Sequence, residues 1–297
     1  GASGCGLPDH EDLRGDRGWY PSRGGMMSSR MQRLQDLAQS VVDKAQSAGA
    51  DVAESVARDG FHLSTKVRMG ETELLEEAGS RSLAVRVMLG KQVAVTYTSD
   101  LSENGVTRLV EDAIELAHLA QPDDCAGPPD PSLLSSPEEH ADLDVYDASV
   151  SGIDAAHAYT EALTGEEAAF AYDERITNSE GASFSRVEGA SVLVTSGGFV
   201  GQSKGTYASL VVRPIAEDED GKKHTGSYWT ARRHQAELRD AKAIGDEAAR
   251  RTLRKLGARK IKTQEAPVIF DQEVARSIIS LVAGCVMGSG IWRKSSY

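Results

Sequence analysis

Cysteine is scarce in this 297-residue chain: Cys5, Cys125 and Cys285 are odd in number and far apart. No C-x-x-C or Cys/His ligand spacing accompanies them, so neither a disulfide framework nor a structural zinc site is indicated. A reducing, cytoplasmic setting is the expectation. Aromatic residues make up only 5%, which leaves base-stacking platforms poorly supplied. Lys and Arg are outnumbered by Asp and Glu, 33 to 45, for a net charge of −12. That balance argues against nucleic acid or anionic membrane as a partner, because phosphate neutralisation needs clustered cations. Long apolar runs are also missing. The longest charge-free stretch, Ser277–Trp292, is interrupted by Gly284, Gly288 and Gly290 and falls short of the roughly 20 residues that span a bilayer. No charged-then-apolar signal-peptide pattern opens the chain.

Several catalytic signatures are absent as well. There is no P-loop and no G-x-G-x-x-G, so nucleotide cofactors have no support. The seven histidines (His10, His62, His118, His140, His157, His224, His234) are scattered, with no H-E-x-x-H. His10-Glu11 is the one adjacent His-Glu, and Arg14 stands where a second zinc ligand would sit. Gly201–Gly205 matches G-x-S-x-G in letters, but a nucleophile elbow needs a helix after the serine and Tyr207–Ile215 alternates like a strand. It reads as part of a hairpin. The acidic pairs Glu76-Glu77 and Glu166-Glu167 read as solvated faces in so acidic a chain. The basic stretch Arg250–Lys262 reads as an exposed helix face.

What is present is a soluble α+β pattern. Residues 1–30 are rich in Gly, Arg and small polar residues and read as a leader, tag or disordered stretch. From Met31 the spacing of Leu34, Leu37, Ala38, Val41, Val42 and Ala45 predicts a helix ending near Gly49. Leu83, Val85, Val87 and Leu89, then Val93, Val95 and Tyr97, alternate about a Gly90-Lys91 turn and predict a β-hairpin. A helix over about 102–120 completes an N-terminal α/β domain, residues 31–120. Five of the nine prolines fall in 121–137, which marks 121–150 as a linker. A central domain, 151–265, carries a helix over 154–172, antiparallel strands over 175–233 with an acidic hairpin tip at Glu217–Asp220, and a helix over 240–256. Residues 266–297 hold a strand at Ala266–Phe270 and an apolar helix from Gln272. That helix is hydrophobic nearly all round and is expected to be buried in a core or interface. Strands cluster rather than alternate with helices, which favours α+β.

The wording of several segments is recognisable. Leu34–Asp51 (LQDLAQSVVDKAQSAGAD), Thr72–Leu89 (TELLEEAGSRSLAVRVML), NSEGAS at Asn178, SGGF at Ser196, LGARK at Leu256, PVIFD at Pro267 and the closing RKSSY together resemble the TldD/PmbA family. The resemblance runs from about Met31 to the last residue. It implies a cytoplasmic protease system of two related subunits that acts on unfolded or extended peptides. Peptide-antibiotic maturation, antitoxin degradation and modulation of DNA gyrase are the roles attached to it. The TldD-type subunit carries zinc on H-E-x-x-x-H; the PmbA-type subunit, or TldE, has the same fold without that motif. Family members also continue past this point, which implies that the chain stops just inside the C-terminal domain.

Sliding the zinc motif onto the helix after PVIFD places it at Ser280, Leu281 and Cys285, and no histidine follows His234. Leu281 cannot serve as a general base, and a serine hydroxyl is a poor zinc ligand. The resemblance therefore implies a PmbA/TldE-like subunit with no catalytic, cofactor or metal residue of its own, and a TldD-like partner that holds zinc. Whether the chain is itself an enzyme stays open. The alternatives are an autonomous metallopeptidase with ligands in the missing C-terminal region and a non-proteolytic peptide-binding adaptor. Extended substrate would add as a strand to an edge, expected within Arg175–Ile215.

Overall fold

The computed structural model describes residues 26–296, with only the backbone of Met26–Ser28. Residues 1–25, including Cys5 and His10, lie outside the described residues, and with them most of the stretch expected to be a leader, tag or disordered. The chain divides into two compact units, the first reaching to Leu256 and the second Gly257–Tyr297.

In the first unit, α1 (Met26–Ser47) begins inside the stretch set aside as leader. It buries Leu34, Ala38, Val41, Val42 and Ala45, the apolar stripe read from their spacing. Gly49, at φ +102°, ends it, with the Ala50 N–H donating back to the Ala45 carbonyl as in a Schellman cap. Two long strands follow, β1 (Val52–Arg68) and β2 (Glu71–Leu89). They are joined by a two-residue turn in which Met69 (φ 55°) and Gly70 (φ 79°) both have positive φ. The short β3 (Gln92–Thr98) pairs with the far half of β2. The helix α2 (Glu103–Leu119) starts at Ser102, whose hydroxyl accepts the Gly105 N–H at 3.1 Å.

The Pro-rich segment forms isolated turns until Val145, whose carbonyl accepts the Thr206 N–H at 3.0 Å. A short α3 (Ala148–Ser151) leads into α4 (Ala155–Tyr172). Next come β4 (Ile176–Thr195), β5 (Val200–Glu217), β6 (Lys223–Thr225) and β7 (Tyr228–Arg232), and then α5 (Ala241–Leu253). The G-x-S-x-G serine, Ser203, sits in β5 opposite Ser191, so the hairpin reading holds and no elbow exists there.

All seven strands form one antiparallel sheet in the order β3-β2-β1-β4-β5-β6, with β7 also on β5. The α+β expectation is met. Directly opposed residues share a face of a sheet. The pairs Ala57↔Leu83, Ala57↔Val192 and Thr65↔Phe184 therefore mark one face, and it is the face the helices cover. Two apolar clusters lie on it. One joins α1 and α2 to β1, β2 and β4; the other joins α4 and α5 to β1, β4 and β5.

Between the clusters the same face carries charge. Arg30 donates to Asp59 Oδ2 at 3.1 Å and to the Asp59 carbonyl at 3.1 Å, and it also pairs with Glu188. Ser151 donates to the other Glu188 oxygen. Burial disfavours the Arg30 cation, but the Asp59 and Glu188 charges outweigh it and raise the pKa. On the reverse face at this level Gly60, Gly189 and Gly205 stand in one transverse row, Gly60 opposite Gly189 and Gly189 opposite Gly205. A row without Cβ atoms lets long strands coil where the helix layer changes.

The second unit holds α6 (Gln272–Cys285) and α7 (Gly288–Trp292). The strand expected at Ala266–Phe270 is not formed: the segment has no ladder partner, and Ile269 is 96% exposed. A strand exists only through its neighbours' hydrogen bonds, and this unit supplies none. The apolar helix is broken at Val286–Met287, and Ile279, Leu281, Val282 and Trp292 are exposed rather than buried. Two short helices alone cannot enclose them. No described helix is long and apolar enough to cross a membrane.

Candidate functional site

The positions matched to the family zinc motif lie on α6. Ser280 and Leu281 are exposed and Cys285 is half-buried. An alkyl group, a hydroxyl and a lone thiol are not a zinc donor set, so these residues do not fit the metal. Among the described residues no three His, Cys, Asp or Glu side chains stand close enough to hold an ion. The described histidines remain apart. His157 lies near Glu161, His224 near Asp218, and His234 near Asp144. The hydrogen bond from the His234 ring to the Asp144 carbonyl raises the His234 pKa. The basic stretch after Glu247 is in part neutralised, since Glu247 binds both Arg250 and Arg251 at 2.7–2.8 Å.

The sheet itself offers a better candidate. A strand-addition edge is expected within Arg175–Ile215, but the topology pairs most of that range on both sides. β4 is interior, paired with β1 on one side and β5 on the other. β5 is capped by β6 and β7 from Ala208 onward, and Val145 and Tyr146 border it near Lys204 and Thr206. The long free edge is on β2. β3 pairs only with Leu83–Leu89, so over Glu71–Ser82 the strand is bonded to β1 alone among the described residues. Every residue from Glu71 to Ser80 is exposed on both faces, Leu74 and Leu75 included.

This edge is held at its tip. Glu166 on α4 is 1% exposed, and its Oε2 accepts the Gly70 N–H at 2.9 Å. Its other oxygen has no partner. The reading of Glu166-Glu167 as a solvated pair thus holds for exposed Glu167 and fails for Glu166. Further along, Lys66 pairs with Glu73 and holds its carboxyl below the usual range. A register shift at Lys66/Val67 leaves Glu73 without a residue opposite it, a bulge that twists the hairpin. Arg68 adds a 2.9 Å bond from its Nε to the Ser179 carbonyl.

The face away from the helices continues the surface. The directly paired Val187 and Tyr207, with Trp229 of β7, are partly exposed, and Ser185 and Ser209 hydroxyls lie 3.0 Å apart beside them.

Comparison with known proteins matches two consecutive domain descriptions. Residues 53–117 match "PmbA/TldA metallopeptidase domain 1", and residues 149–256 match "PmbA/TldA metallopeptidase central domain". The chain belongs to the PmbA/TldD metallopeptidase family. Within it the chain is PmbA-like: it is 34% identical over 272 residues to the metalloprotease PmbA homolog of Haemophilus influenzae. That match covers 92% of this chain and 59% of the relative. The metalloprotease PmbA of Escherichia coli O157:H7 is 33% identical over 252 residues, covering 84% of this chain and 54% of the relative. The chain thus spans a little over half the length of these relatives. Among solved structures, a candidate modulator of DNA gyrase from Bacteroides thetaiotaomicron shares the fold at TM-score 0.81 and 23% identity, over 88% of this chain and 58% of that one. TldE from Thermococcus kodakarensis does so at 0.64 and 14%, over 73% and 47%. The two family domains share the one sheet: β1 of the first is bonded to β4 of the second from Glu54↔Thr195 to Val67↔Ala182.

Proposed function

We propose that this PmbA-like chain is the non-catalytic subunit of a cytoplasmic two-subunit zinc metallopeptidase acting on unfolded or extended peptides. Zinc and the catalytic base then belong to a TldD-like partner, and this chain shapes the surface that receives substrate. One observation carries the reading: no histidine follows His234, and Ser280, Leu281 and Cys285, the positions to which the resemblance matches the zinc motif, supply neither an imidazole nor a carboxylate. The relatives' names, metalloprotease PmbA and TldE, support membership of such a system.

The test is zinc per chain in the full-length natural protein, purified with and without a TldD-like partner. Near-zero zinc alone, with zinc and peptidase activity arriving together with the partner, is the expected result. About one zinc per isolated chain would overturn the reading and direct attention to ligands outside the matched helix.

A further inference from the structure

We propose that the edge Glu71–Ser80 of β2, bonded to β1 alone among the described residues, binds an extended, cationic and partly apolar peptide segment by strand addition. For the identity of the occupant the inference rests on the peptide-handling role above. Among the described residues no second strand bonds to this edge, and such an edge is the ordinary template for another strand. Natural edges are usually blunted by lysine, proline or cover. Here glutamates take that place, at Glu71, Glu73, Glu76 and Glu77, and the segment holds no Lys or Arg. Leu74 and Leu75 stand exposed between them on opposite faces.

This charge pattern selects the occupant. A two-fold pairing of two copies must place its axis at a residue, because adjacent positions alternate faces. Beyond the bulge at Glu73, an axis at Glu76 or Glu77 sets a glutamate opposite itself. Like charges directly opposite destabilise a sheet, so self-pairing centred on these glutamates is disfavoured. A strand with Lys or Arg facing Glu76 and Glu77 and apolar groups facing Leu74 and Leu75 meets no such conflict. The pinned tip at Gly70–Glu166 and the Lys66–Glu73 pair hold the edge in place before binding, which lowers the ordering cost.

The probe is a fluorescein-labelled Thr-Lys-Lys-Val-Val-Thr-Lys peptide, read by anisotropy against the full-length protein without partner. Binding is expected to weaken about tenfold when Lys is replaced by Glu in the probe. Probes N-methylated at odd or at even positions are expected to differ, one losing at least about tenfold and the other unchanged, because only one edge of an added strand is bonded. In the exposed double variant Glu76→Lys and Glu77→Lys the preference is expected to reverse toward the Glu probe. Equal loss for both N-methylated probes, an unchanged preference in the variant, no binding at millimolar probe, or a dimer dispersed by the variant would each overturn the proposal. Zinc content is read separately. A zinc-free chain that ignores the probe defeats the edge alone; a zinc-bearing chain that binds it defeats the subunit role alone.

Discussion

Glu166 and Gly70 lie 96 positions apart in sequence and are joined by a 2.9 Å hydrogen bond from the turn backbone to a buried carboxylate. One oxygen of that carboxylate holds the hairpin tip, and the other is buried without a partner. A buried acid half-satisfied in this way costs stability while it fixes geometry.

Replacing it separates the two effects. Glu166→Met is expected to raise global stability by about 1–3 kcal/mol, since an apolar side chain of similar length removes the buried acid. Hydrogen exchange at Met69–Glu73 is expected to quicken in the same variant, because the turn loses its anchor. Urea denaturation with exchange mass spectrometry reads both. Slower exchange, or a stability loss above about 1 kcal/mol, would show that the bond is worth more than the burial costs.

The crossing of α4 and α5 depends on Gly245, and Gly165 lets α4 lie close on β5. A Cβ on Gly245 would run into the Gly165 carbonyl oxygen and lie 2.8 Å from Ala168 Cβ. A Cβ on Gly165 would lie 2.8 Å from Val212 Cγ2. Alanine normally favours a helix over glycine by up to about 1 kcal/mol. Here Gly245→Ala is expected instead to cost about 1–3 kcal/mol through overpacking against backbone. The urea midpoint measures it, and a stabilised variant would contradict the close crossing.

Acid sensitivity should appear at α5. The hydrogen bond from Arg250, aided by Arg251 and opposed by partial burial, lowers the Glu247 pKa from 4.5 to about 2. A depressed folded pKa gives stability that is fully present above the unfolded pKa and lost as pH falls through the folded one. Melting temperature between pH 5 and pH 2 should therefore fall less steeply in Glu247→Gln than in the parent, from a lower starting value. Parallel curves would remove Glu247 from the account.

Helices were plain in the residues. The stripe Leu34, Ala38, Val41, Val42 and Ala45 needed no neighbour to be read, because its period belongs to the helix itself. The Gly90-Lys91 hairpin was legible too, but its second arm turns the other way from the expected buried face: Ala94 is buried, and Val95 and Tyr97 are exposed. The long β1–β2 ribbon was less legible: Met69 is not a residue that announces a positive-φ turn, and exposed Glu71–Ser80 has no one-sided alternation. Glu166 could not be told from Glu167, since burial depends on what packs against α4. Ala266–Phe270 erred the other way, a strand-like run with nothing to pair with.

The amino-acid sequence by itself determined the α+β class, the helix stripes, the family resemblance and the absence of imidazole at the matched zinc positions. These are properties of local period and of which functional groups the chain contains. Only the tertiary structure decided which strand is an edge, that β4 is interior while the first half of β2 is bonded on one side alone among the described residues, and that one of two adjacent glutamates is buried. Strand order and burial arise from pairing between residues far apart in the chain, and no local pattern of side chains encodes which partner a backbone hydrogen bond will find.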